Sequence, residues 1–181
     1  MITKRSESYI SIASGDNGLR FVLGKPGKSC LLAVGLNPSS ADEKRLDPTT
    51  RIIERIAQTH GLDGWYIINL YPVRCAKPSD LPRRKSADHF SQNIRCIDAF
   101  LQENMDSIGK VCLGWGNHIG KVSYLQNAAI EIRSLLMNYT SEFCCIGITK
   151  DGNPIHPSPL SVNTRYGGAS SVKLREYILP S

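Results

Sequence analysis

The sequence has no apolar run near the ~18 residues that a membrane-spanning helix needs, so a membrane span is not expected. No hydrophobic stretch follows Met1-Ile2-Thr3-Lys4-Arg5-Ser6, and no signal peptide is expected. Internal repeats, low-complexity tracts and an obvious linker are also missing, which argues against repeat arrays and separate domains. Six cysteines (Cys30, Cys75, Cys96, Cys112, Cys144, Cys145) form no C-x-x-C pair, so a zinc site lacks clustered ligands. Cys30, Cys112 and Cys144 lie in apolar, strand-like runs, as buried reduced thiols of a cytoplasmic protein do. Neither a metal nor another cofactor is expected.

What is present reads as globular. With 41% hydrophobic and 21% charged residues, 181 residues suffice for one domain with a substantial core. Residues 1–181 are expected to form a single α/β domain, with 1–29 as an N-terminal hairpin extension and 30–165 as the core. The net charge of +6 permits a polyanionic partner. Much of it is concentrated in residues 74–85, where Arg74, Lys77, Arg83, Arg84 and Lys85 face only Asp80. Pro72, Pro78 and Pro82 make this a loop rather than a helix. The loop either grips phosphates or is a solvated surface.

Apolar patterning places the elements. Residues 8–13 and 19–23, around Gly15-Asp16-Asn17-Gly18, read as a hairpin. Cys30 to Gly35, Trp65 to Leu70, Lys110 to Leu113 and Phe143 to Ile148 read as buried strands. Helices are expected from Asp47-Pro48 to Gly61, from Asp88 to about Asn104, and after Gly114-Trp115-Gly116-Asn117-His118 to about Met137. This alternation predicts a parallel sheet with helices on both faces. Ligands of such sheets bind beyond the carboxyl ends of the strands, where four polar segments follow strands here.

The first segment carries Gly35, Asn37, Pro38 and Ser39. Asn37 either orients a water or base edge, or belongs to a capped turn. Asp42, Glu43 and Asp47 follow as the available carboxylates. The second segment carries Asn69, whose amide matches one edge of a pyrimidine or ties down its own loop. In the third, Trp115 stacks or packs, and His118 in a first helical turn is biased towards neutral imidazole. The fourth reads His156-Pro157-Ser158-Pro159-Leu160-Ser161. There the prolines stiffen a turned loop, His156 can donate to an oxygen gaining negative charge, and Leu160 can project as a wedge. The alternative is a purely structural proline loop. His60 and His89 read as surface residues.

These motifs resemble the uracil-DNA glycosylase superfamily. His156 to Ser161 resembles its second active-site motif, Gly35-Leu36-Asn37-Pro38-Ser39 the first motif of its mismatch-specific branch, and Leu113-Gly114-Trp115-Gly116 its Leu-Trp-Gly strand end. The chain more closely resembles a bacterial and phage family, domain of unknown function sixteen-forty-three. The segments that carry this likeness are Gly35 to Ser39, Asp47-Pro48-Thr49, Trp115-Gly116-Asn117 and Thr149-Lys150-Asp151-Gly152-Asn153-Pro154 with His156-Pro157.

The glycosylase resemblance implies a three-layer fold around a four-stranded parallel sheet, for which the strand order 2-1-3-4 is expected. It implies a positioned water at Asn37, base reading by Asn69, leaving-base stabilisation by His156 and stack filling by Leu160. Tyr71 or Trp115 would take the place of the stacking aromatic, and Asn117, His118 and Ser158 would complete the site. Asn37 stands where the efficient uracil branch has an aspartate, so catalysis is expected to be slow, with Asp42 and Asp47 as the nearby acids. The expected function is N-glycosidic hydrolysis on a flipped, modified or mismatched pyrimidine, with DNA the leading partner. The alternatives are a non-catalytic nucleotide-binding or nucleic-acid-binding module and a phage-related interaction protein.

Overall fold

The computed structural model describes residues 1–16 and 18–178. Asn17, in the expected hairpin turn, and residues 179–181 of the expected domain lie outside the described residues. In chain order the elements are β1 (Ile2–Arg5), β2 (Ile10–Ala13), β3 (Arg20–Lys25), β4 (Cys30–Gly35), α1 (Pro48–Thr59) and β5 (Gly64–Asn69). They continue with α2 (Ala87–Asn104), β6 (Ile108–Leu113), α3 (Tyr124–Met137), β7 (Cys144–Cys145), α4 (Pro159–Tyr166) and β8 (Arg175–Glu176).

All strands join one mixed sheet in the order β1-β2-β3-β5-β4-β6-β7-β8. A four-stranded sheet was too small an expectation. The run β5-β4-β6-β7 is parallel. β3 adds to it antiparallel beside β5, and β8 adds antiparallel beside β7. β1, β2 and β3 therefore extend the sheet on this side, with β2 and β3 pairing antiparallel as the expected hairpin. The reason lies in β5, whose six residues are all buried. A strand so buried makes a poor sheet edge, and β3 covers it.

Successive residues of β4 point to opposite faces. Leu31 and Ala33 pack with Ile53 and Ile56 of α1 and Val162 of α4. Leu32 and Val34 pack with Phe90 and Ile97 of α2 and with Leu125 and Ile132 of α3. Both faces are covered, which is why the strand reads as an unbroken apolar run. Tyr66 and Phe100 meet edge-on at 4.8 Å, a contact worth about 0.5–1.5 kcal/mol beyond its buried area.

Local signals place the helix starts. Asp47 caps α1, accepting from the Thr50 N–H at 2.9 Å, with Pro48 in the first turn. Ser86 caps α2 through the His89 N–H. Two expectations fail. The fourth strand shrinks to two residues because Ile155 N donates to Gly147 O and Thr149 N to Asn153 O, folding the chain back on itself. The segment after Pro157 is no loop. Ser158 accepts from the Ser161 N–H, Pro159 opens α4, and Gly167 ends it at φ 72°.

His60 is likewise no free surface residue. Its Nδ1 donates to Ile56 O, and its Nε2 accepts from the Leu174 N–H, joining α1 to the C-terminal segment. The six thiols are free, with Cys30, Cys96, Cys112 and Cys145 buried. Among the described residues no helix is long and apolar enough to cross a membrane.

Candidate functional site

The parallel strands end together, and the segments leaving them enclose a cleft of about 430 Å³. That volume lies within the range of small-molecule sites, about 300–1,000 Å³. Leu36 and Asn37 enter from the end of β4, and Trp115, Gly116, Asn117 and His118 from the end of β6. Thr149, Ile155 and His156 follow β7, Ser158, Leu160, Ser161 and Arg165 come with α4, and Pro78 comes from the basic loop. A larger hollow of about 690 Å³ lies at the opposite end of β6, beside Ile108, Lys110 and Tyr177. None of the candidate side chains lines it.

His156 is held by a close crossing of backbones. Gly116 takes φ 70°, and its N–H donates to Pro154 O at 2.9 Å. A methyl group on Gly116 would lie 2.9 Å from the His156 Cβ. Only glycine combines that backbone with that approach. The imidazole is part-buried. Burial, reinforced by His118 and opposed by Asp47, lowers its pKa to about 4. It is therefore neutral at pH 7 and carries one N–H donor. Among the described residues the ring makes no hydrogen bond, so that donor is available to a ligand. His118 is exposed and sits in a short 3₁₀ turn, Asn117–Lys121, rather than the first turn of an α-helix.

The asparagines divide into three cases. Asn37 spends its NH2 on Pro38 O and Cys75 O, both at 2.9 Å, which leaves Oδ1 as an acceptor at the cleft. Asn117 donates one N–H to Asp151 at 2.6 Å and accepts from Thr149 at 2.6 Å and Asn153 at 3.1 Å, which leaves one N–H uncommitted. It staples the turn after β7 to the rim. Asn69 is outside the cleft lining and 1% exposed, beside Gly35, where a methyl group would lie 2.7 Å from its Oδ1. Neither side-chain amide atom of Asn69 has a partner among the described residues. An unpaired buried amide group costs roughly 1–3 kcal/mol. Its backbone carbonyl is gripped by Asn93 of α2, a fully buried residue that the sequence did not single out.

The structure does not bring the carboxylates into the cleft. Asp47 is 9% exposed and occupied as the α1 cap. Asp42 accepts from the Lys44 and Arg45 N–H groups in a local turn, and its pKa is lowered; those two bonds and the Arg74 and Lys44 charges outweigh its burial. Glu43 is buried. The three carboxylates belong to a loop clamped by two arginines. Arg20, 1% exposed, donates to Ala41 O at 2.7 Å, and Arg74 donates to Ala41 O at 2.9 Å and Ser39 O at 3.2 Å. Burial, with Arg74 close by, lowers the Arg20 pKa to about 9 despite Asp47 and Asp42.

Gly35, Pro38 and Ser39 therefore shape the rim without lining the cleft. Tyr71 is buried against Tyr124 at 4.9 Å, and its hydroxyl accepts from the Ser86 N–H, so it does not reach the cleft. Trp115, though only 4% exposed, is the aromatic that does. In the basic loop, Arg74 turns inward, and Lys85 pairs with Glu131 at 3.4 Å and stands 4.1 Å over the Phe90 ring. Lys77, Arg83 and Arg84 remain exposed, and Pro78 brings the loop to the cleft edge.

The sequence reading missed Arg165, which lines the cleft from α4. A signal was present: Ser158-Pro159 is an N-cap followed by a first-turn proline, and it puts Ser161 and Arg165 on one helix face.

A model of the family described as protein of unknown function (DUF1643) matches residues 20–158. The match runs from the start of β3 to the cap of α4. No curated protein and no solved structure matches the chain.

Proposed function

The chain belongs to that family of proteins of unknown function, and from its rim cleft we propose that it processes nucleic-acid bases, hydrolysing the N-glycosidic bond of a flipped, modified or mismatched pyrimidine. The observation that carries this reading is His156, a neutral imidazole with an uncommitted N–H in a cleft that also offers Trp115. As the C1′–N bond breaks, its electron pair leaves on the base and negative charge develops on a base oxygen. A neutral donor fixed at that oxygen stabilises the charge as it forms. Asn37 Oδ1 orients a water, whose oxygen bonds to C1′ and whose proton passes to the departing base or to solvent. Leu160, 79% exposed on the first turn of α4, fills the space that a flipped base vacates. In this proposal the parallel run β5-β4-β6-β7, covered on both faces, corresponds to the three-layer glycosylase-like layout. DNA is the proposed partner.

One observation favours a second reading. Asp42 and Asp47 are held in a turn and a helix cap, and none of Asp42, Glu43 and Asp47 lines the cleft. Without a carboxylate at the reacting carbon, a module that binds a base or nucleotide and leaves it intact is the alternative.

Incubation with oligonucleotides carrying uracil, thymine mismatches or modified pyrimidines, followed by alkali, separates the two. Strand breaks that disappear in His156→Ala support hydrolysis. Salt-sensitive binding without breaks supports the module. Full excision by His156→Ala removes the role given to this residue.

A further inference from the structure

Two thiols meet on the sheet, away from the rim cleft. β7 pairs with β6 through Cys144 opposite Cys112 and Cys145 opposite Leu113. Residues opposite each other in a ladder point to the same face, so Cys112 and Cys144 lie side by side. Both pack into the apolar cluster that α1 and α4 cover. Neighbouring strands stand about 4.7–4.9 Å apart, within the Cα separation of about 4.4–6.8 Å that a disulfide spans.

The two thiols differ in access. Cys112 is buried, whereas Cys144 is part-buried and lines the hollow of about 690 Å³ with Lys110. Lys110 stands two residues before Cys112 on β6 and so shares its face. Glu142, Arg175 and Glu176 line the hollow too, but Lys110 supplies the charge that acts on the Cys144 thiol. The hydrogen bond from Cys112 and the Lys110 charge lower the Cys144 pKa against the effect of burial. The same thiol–thiol bond, with burial, raises the pKa of Cys112. Each of the other four thiols is raised, chiefly by burial. The thiolate is the nucleophilic form, and Cys144 combines that form with an open approach.

We propose that Cys144 is an oxidation site for small hydroperoxides entering this hollow, with Cys112 as the thiol that resolves it to a disulfide. The Cys144 sulfur attacks one peroxide oxygen. The S–O bond forms as the O–O bond breaks, and the alkoxide or hydroxide leaves and takes up a proton. Cys144 is thereby oxidised to a sulfenic acid and the peroxide is reduced. The Cys112 sulfur then attacks the Cys144 sulfur. The S–S bond forms as the S–O bond breaks, and hydroxide departs with the Cys112 proton as water. Two thiols and one hydroperoxide give one disulfide, one alcohol (water for hydrogen peroxide) and one water. The bond ties β6 to β7, the strand from which the chain runs on to His156. The proposal does not depend on the base-processing reading.

The test treats the full chain with a small excess of hydrogen peroxide, blocks the remaining thiols after unfolding, and maps the peptides without reduction. Two of the six thiols should be lost together, in a peptide pair joined through Cys112 and Cys144. Before oxidation, Cys144 should react with iodoacetamide about tenfold faster than Cys75, which is also part-buried. Cys112→Ser keeps a donor beside Cys144 and removes the resolving sulfur. In that variant dimedone should trap a sulfenic acid at Cys144, and no cross-link should form. The wild-type map decides the matter even where the variant fails to fold. Equal alkylation of Cys75 and Cys144 overturns the proposal. So does survival of all six thiols, a first disulfide between any other pair, or a sulfenic acid that persists at Cys144 in the wild type.

Discussion

A neutral His156 has a measurable cost in acid. Histidine ordinarily titrates near 6.5, and His156 is lowered to about 4 by burial and by His118. Between those values the unfolded chain takes up a proton that the folded protein refuses. Stability therefore falls as pH drops from 6.5 towards 4, and the contribution levels off below pH 4. At about 1.4 kcal/mol per pH unit the gap is worth ~3 kcal/mol, and partial contact of the ring with water in the cleft trims this to ~2–3 kcal/mol. His156→Gln removes the titrating group and keeps a polar side chain of similar reach. Urea denaturation of both proteins between pH 7 and pH 4 measures the effect. Wild type should lose ~2–3 kcal/mol more than the variant across that interval. Proton NMR of the His156 ring should place its midpoint near 4. A flat difference between the two proteins, or a ring that titrates between 6 and 7, refutes the burial argument and with it the always-neutral donor.

Three further outcomes follow from the geometry. Asp47→Ala should cost about 1–2 kcal/mol by uncapping α1, whereas Asp47→Asn keeps an accepting oxygen and most of the stability. Because the Asp47 charge favours protonated His156, the asparagine variant should also push the His156 midpoint further down, and an unchanged midpoint would show that the two groups do not sense each other. Gly116→Ala should lower stability by about 1–3 kcal/mol through its positive φ and its crowding of the His156 Cβ. A urea midpoint equal to that of wild type would contradict the tight crossing. Leu160→Ala, at an exposed position, should change stability by less than about 0.5 kcal/mol yet weaken excision from duplex more than from single-stranded substrate. Equal losses on the two substrates would remove the wedge role.

How legible each element was depended on how local its cause is. The Asp47-Pro48 start of α1 was readable because cap and helix are neighbours in sequence, and the cap bond spans three residues. The central strands were readable because burial on both faces leaves an unbroken apolar run. The α4 helix was hidden because a His-Pro-Ser-Pro string suits a stiff loop as well as a capped helix. With the helix went Arg165, whose approach to the cleft follows only from helical spacing.

The sequence by itself determined the strand–helix alternation and the placement of polar segments after strands, with His156 in one of them. Tertiary structure decided which of those polar groups are available. Asn37 spends its NH2 on a carbonyl 38 residues away, Asn117 is tied to a turn more than 30 residues on, and Asn69 is packed behind Gly35. Arg20 and Arg74 close on one carbonyl from distant positions and hold the acidic loop between them. The physical reason is common to all of these. A side chain's chemistry is written in its type, but its free valences are set by partners that only the fold brings within about 3 Å.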